Sequence, residues 1–148
     1  QRGVNIEDYF DKNYIERHDI MIRERGVRCD KETSEKYIQA AKELSWIDRE
    51  EDGYFIHTPK SIEEFRCEGD VQHICVYSAG YYNKVIRKES IIVFLREMKN
   101  VPYVTIEFDY ETFEVLQARG KYNRALEPSL YQYVVGLGRG LCRERLSC

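Results

Sequence analysis

The residues best suited to chemistry in this 148-residue chain lie in four short stretches: His73-Ile74-Cys75-Val76-Tyr77, the strand-like segments ending at Arg96 and holding Thr105 and Glu107, and Gln117 to Arg124. His73 or Glu107 can accept a proton, and Tyr77, Arg96, Gln117 and Asn123 can orient a polar ligand. If these side chains reach one ligand, they make the pocket of a hydrolase or transferase, with His73 and Glu107 as its catalytic candidates. Tyr77, Arg96, Thr105, Gln117, Arg119, Lys121 and Asn123 are the binding candidates.

A plainer reading stands beside each of these. Arg96 and Glu107 suit an ion pair across neighbouring strands. His73 suits a hydrogen bond that anchors its helix, and since His18 and His57 fall in unrelated segments, no metal set is formed. The five cysteines include no CxxC pair, so neither a disulfide framework nor a zinc knuckle is indicated, and reduced buried thiols are expected. On a helix, His73 and Tyr77 share a face while Cys75 points roughly 200° away from His73. An extended segment would bring His73 and Cys75 to one side and admit a thiol nucleophile.

Gly120-Lys121-Tyr122-Asn123-Arg124 follows directly on a strand and combines a glycine, cations, an aromatic ring and an amide. It is either a solvated turn or a loop that contacts phosphate and stacks a base.

The elements that must position these residues follow from periodicity. Ile6, Tyr9, Phe10 and Tyr14 repeat at helical spacing and continue to Met21, and a second helix capped at Asp30, Thr33 or Ser34 runs toward Leu44, so the two predict a helical hairpin. Trp46-Ile47, Asp52-Gly53 and Tyr54-Phe55-Ile56 predict a small β-hairpin closed by Pro59. Ser61 and Glu64 have capping-box spacing, and a further helix is predicted over Val71–Val85, with Gly69 dividing it from its predecessor. Strands are predicted over Ile91–Leu95, Tyr103–Phe108 and Phe113–Arg119, the last two joined by a polar turn at Asp109–Thr112. Period two then points Thr105 and Glu107 to one face, where Arg96 and Gln117 could join them. Pro128 opens a closing helix that Gly136, Gly138 and Gly140 weaken.

The predicted class is α+β: an N-terminal helical hairpin, central helices packed on a three-stranded antiparallel meander, and a C-terminal helix. One domain over residues 1–148 is expected, with a helical part at 1–58 and a motif-bearing part at 59–148. The opening Gln1 suggests a piece cut from a longer chain.

Composition narrows the function. With 43% hydrophobic and 33% charged residues the chain reads as globular, and no apolar run approaches the roughly 20 residues that cross a bilayer, so a cytoplasmic protein without membrane contact is expected. A net charge of −3 argues against a domain that coats nucleic acid, while leaving local basic patches open. No cofactor is indicated.

The run from Pro59 to Asn123 carries PKSIEEFRCEGDVQHICVY, SIIVFLR, PYVTIEF and QARGKYN, in that order. This arrangement resembles the C-terminal domain of the PcfJ-like proteins of conjugative plasmids, phages and other mobile elements. On that resemblance Glu68, Gly69, His73, Cys75, Val76 and Tyr77 match the first block, and Arg96, Thr105, Glu107, Gln117, Gly120, Lys121 and Asn123 the later ones. Its His73-Ile74-Cys75 departs from the family's more usual adjacent His-His-Cys or His-Cys. The resemblance implies an accessory module of DNA processing that binds DNA or a relaxosome-type protein, and it names no reaction, so whether the chain is an enzyme stays open. The alternatives are the hydrolase or transferase pocket above and a protein-interaction domain whose polar residues brace helix against sheet.

Overall fold

The computed structural model describes residues 30–147. The helix expected over Ile6–Met21, and the helical hairpin it would form, lie outside the described residues.

Helix α1 (Lys31–Lys42) begins where the Thr33 amide donates to the Asp30 carboxylate at 2.8 Å, so the expected cap is in place. Its inward stripe carries Tyr37, whose hydroxyl donates to the Pro59 carbonyl at 2.9 Å in the core. A single 3-10 turn (Ser45–Ile47) follows, so Trp46 and Ile47 precede the hairpin instead of forming part of it.

Strands β1 (Arg49–Glu51) and β2 (Tyr54–His57) turn about Asp52 and Gly53, whose φ values of 56° and 82° are those a tight two-residue hairpin needs. Strands β3 (Ser90–Arg96), β4 (Val104–Asp109) and β5 (Val115–Arg119) are the expected meander. It does not stop at three strands. β2 pairs with β3, setting Ile56 opposite Leu95, so the hairpin extends the meander to five antiparallel strands in the order β1-β2-β3-β4-β5. The free backbone edge of β3 is what admits β2.

Helix α2 (Ile62–Gln72) lies on one face of this sheet, its Phe65 ring 6.1 Å from that of Phe94. Its start does not close the expected capping box: the Ser61 hydroxyl bonds nothing at the cap, and the Glu64 carboxylate accepts instead from the amide of Lys60, one residue before the cap, at 3.0 Å. Its end corrects the expected helix over Val71–Val85. Gly69 does not divide two helices; it sits buried inside α2, which stops at His73 in the left-handed conformation (φ 57°, ψ 50°). The Ile74 amide donates back to the Gly69 carbonyl at 3.1 Å, the bond of a Schellman turn. The chain then folds over the end of α2 so closely that a Cβ on residue 69 would stand 3.1 Å from the Ile74 carbonyl oxygen. Only α3 (Tyr81–Ile86) remains of the expected second helix, and residues 73–80 are irregular.

The opposite face is covered by α4 (Pro128–Leu146), with proline in its first turn. This helix runs through all three of its glycines, and a Cβ at Gly138 would fall 2.4 Å from the Phe113 carbonyl, so that glycine sets how near α4 lies to the strands. Helices on both faces bury β3 along nearly its whole length. Among the described residues no helix is long and apolar enough to cross a membrane.

Candidate functional site

The face of the sheet beneath α2 and α3 is where the polar residues gather. Register places Ile92, Glu107 and Gln117 in one row across β3, β4 and β5, and Phe94, Thr105 and Arg119 in the next. Between this face, the irregular segment after α2 and the start of α3 lies a cleft of about 180 Å³. His73, Cys75, Tyr81, Thr105, Glu107, Gln117, Arg119 and Asn123 line it, over an apolar floor that includes Ile92.

Glu107 is the group around which the cleft is organised. Its side chain is 8% exposed. The Ser90 hydroxyl donates to Oε2 at 2.5 Å, and the Lys84 ammonium stands 3.4 Å from the same oxygen. Oε1 accepts no hydrogen bond among the described residues. Next to it the Gln117 amide donates to the Tyr81 hydroxyl at 3.3 Å, leaving the amide oxygen as a further acceptor beside the carboxylate.

His73, which lines the cleft, is stacked on Tyr122 of the Gly120–Arg124 loop. The rings of His73 and Tyr122 lie 4.5 Å apart and 8° from parallel, and the Lys121 and Arg124 cations stand 5.6 and 6.0 Å from the Tyr122 ring centre. Both stacked residues have left-handed backbones, with φ of 57° and 61°, and so does Asn123 at 60°. A left-handed non-glycine residue costs roughly 1–2 kcal/mol, and such residues cluster at working sites.

Six of the nine residues singled out from the sequence line this cleft: His73, Thr105, Glu107, Gln117, Arg119 and Asn123. Three do not. Tyr77 follows an irregular turn, so it shares no helix face with His73; its ring packs 5.9 Å from that of Tyr82. Lys121 lines a groove on the other side of its loop. Arg96 neither converges with Glu107 and Gln117 nor pairs with Glu107. It forms a two-pronged ion pair with Glu68 of α2, at 2.9 and 2.8 Å, and the Thr105 hydroxyl donates to the same carboxylate at 3.1 Å. Glu68 is 1% exposed, and burial pushes its carboxyl above the ordinary value while Arg96 and Thr105 pull it back. This cluster braces α2 to the sheet.

Ser90 and Lys84, which hold Glu107, escaped the sequence reading; Ser90 is the first residue of β3, two positions before Ile92, and the same period-two count places it on Glu107's face. The described cysteines are thiols, as expected, but not buried ones: Cys75 is exposed, and Cys67 and Cys142 are half-buried. Cys75 does line the cleft with His73, as an extended segment would have it. Among the described residues no group of three or more His, Cys, Asp or Glu side chains is arranged to hold a metal.

A family model described as PcfJ-like protein matches residues 6–134. The chain belongs to the PcfJ-like family. Searches of curated proteins and of solved structures returned no match. The match spans every residue by which the chain resembles PcfJ-like proteins, and the fold sorts those residues in two: Glu68, Arg96 and Thr105 join in the brace, whereas His73, Cys75, Glu107, Gln117 and Asn123 line the cleft. Thr105 belongs to both.

Proposed function

We propose that this PcfJ-like chain is a nucleic-acid-binding accessory module of mobile-element DNA processing, and that its cleft receives one unpaired nucleobase. The observation that carries this reading is the half-satisfied Glu107: Oε2 is held by Ser90 and Lys84, and Oε1 is left as an acceptor facing a small cleft. A carboxylate so placed selects a ligand that brings N–H donors, as the exocyclic amine of cytosine does. The neighbouring Gln117 adds an acceptor and Arg119 a cation at the margin. The volume, about 180 Å³, lies well below the roughly 300–1,000 Å³ of sites for drug-sized ligands, and suits a fragment such as one base.

Arg96 is removed from the binding surface by this reading, because its guanidinium is committed to Glu68. The 26 Asp and Glu outnumber the 23 Lys and Arg, for a net charge of −3. Affinity then rests on a specific contact more than on charge neutralisation, and its salt slope should be shallow.

The test is binding of dCMP and dTMP to the wild-type chain and to Glu107→Gln, followed by calorimetry, with folding checked by circular dichroism. The expected result is a preference of at least tenfold for dCMP that Glu107→Gln abolishes while keeping its fold. Absence of nucleotide binding, or binding indifferent to Glu107→Gln, would overturn the reading. Turnover of the bound nucleotide that depends on His73 would favour the hydrolase or transferase alternative, for which the exposed Cys75 beside His73 in the cleft is the one supporting observation.

A further inference from the structure

On the far side of the Gly120–Arg124 loop runs a groove of about 690 Å³. Three tyrosines from three separate parts of the chain line it. Tyr54 of β2 stacks within 15° of parallel on Tyr103, which precedes β4, with ring centres 6.5 Å apart, and lies 4.9 Å from Tyr133 of α4. All three tyrosines are half-buried. Lys121 and Arg124 stand on the loop side of this groove. Glu127 lies along it too, and Tyr133 donates to Asp52 at 3.3 Å, so the cationic side is the loop alone.

A cluster of tyrosines lining a groove, with cations on one side, offers a single nucleic-acid strand aromatic surface to stack on and charge for its phosphates. Bases stack on rings whatever their sequence, at about 1–3 kcal/mol each, while Lys and Arg follow the phosphates. A duplex would keep its base faces covered and could not use the rings. The loop joins this groove to the cleft: Arg119 and Asn123 face the cleft, and Gly120, Lys121 and Arg124 face the groove.

We infer that the tyrosine groove is the track of a single strand whose terminal or flipped base occupies the Glu107 cleft, the phosphate between the two sites passing over the Lys121–Arg124 loop. This rests on the reading of the cleft given above and adds the strandedness and path of the ligand. Gln72 supports the arrangement, since its buried amide donates to the Tyr103 carbonyl at 2.7 Å and fixes the backbone that carries the ring stacked on Tyr54.

The test compares dCMP, a dC-containing single-stranded hexanucleotide and its duplex, on the wild type, Tyr103→Ala, Tyr103→Phe and Lys121→Gln, with circular dichroism as the fold control. The hexanucleotide should bind at least tenfold more tightly than dCMP. Tyr103→Ala should remove most of that gain and leave dCMP binding unchanged, Tyr103→Phe should keep it, and Lys121→Gln should reduce both the gain and its salt dependence. Equal affinity for dCMP and hexanucleotide, a duplex bound as well as the single strand, or a gain untouched by Tyr103→Ala would each overturn the track while leaving the cleft reading standing. Failure of dCMP and hexanucleotide alike would sink both.

Discussion

Two carboxylates reach the same face of the sheet and meet opposite surroundings. Glu68 descends from α2 into a place where Arg96 grips both of its oxygens and Thr105 adds a third donor. Glu107 rises from β4 and is held through one oxygen only. A buried polar group whose partners are complete fixes two elements against each other, whereas one with an oxygen left over keeps the capacity to accept from an incoming donor. Proximity to the motif residues therefore does not tell brace from site; the state of each oxygen does.

The comparison breaks first at Arg96. Arg96→Ala strands a carboxylate that is 1% exposed, and should cost about 3–5 kcal/mol in chemical denaturation. Replacing the pair together, with Glu68→Met and Arg96→Leu, should recover most of that loss, since it is the unpaired charge that is expensive. Thr105→Val should cost about 1–2 kcal/mol by removing one donor from Glu68. Glu107→Gln should cost no more than about 1 kcal/mol, because an amide oxygen can still accept from Ser90, while removing ligand binding. If Glu107→Gln proved as destabilising as Arg96→Ala, the distinction between brace and site would fail.

A third carboxylate sharpens the scale at its weak end. Glu64, one turn before Glu68 on α2, is half-buried and holds His57 at 2.6 Å and the Lys60 amide at 3.0 Å. Burial pushes its carboxyl upward, but the bonds to His57 and Lys60 outweigh it and hold the group below the usual carboxylate range. A lowered folded value means stability that is present above the ordinary value near 4.5 and lost as pH falls through the lowered one. Glu64→Gln should therefore be less stable than the wild type at neutral pH, by the smallest margin of the series, and the gap should close in acid. Urea midpoints at neutral pH and near pH 3 measure both ends.

Much of the sheet and half of the site were legible in the sequence for one reason: period two is strict. Once Thr105-Ile106-Glu107 is a strand, Thr105 and Glu107 must share a face, and an antiparallel neighbour brings Gln117 beside Glu107. What the period cannot supply is the partner arriving from another element. Arg96 faces the same side as Glu107, and nothing in the strand says that α2 delivers Glu68 to it first. The apolar spacing of Val71–Val85 is that of a helix, yet the helix ends at His73 because the chain turns back over Gly69, a long-range fit with no local signature beyond the glycine itself. The β1–β2 turn was legible from Asp52-Gly53, whereas its pairing with β3 depended on which edge stood free.

The margins of the sheet bear on how copies of this chain meet one another. A bare strand edge is a template for adding a strand from another molecule, and both ends here are blunted. β1 is three residues of Arg-Glu-Glu, with Arg49 tied to Glu144 at 2.8 Å. β5 carries Leu116 at 54% exposure, but the chain returns beside it, pairing Ala125 with Arg119. The loop that borders both cleft and groove thus also covers the Arg119 end of a leucine-bearing edge. Shortening it would cost more than a binding surface: it would open that edge to strand addition and turn the chain toward aggregation, which light scattering would register.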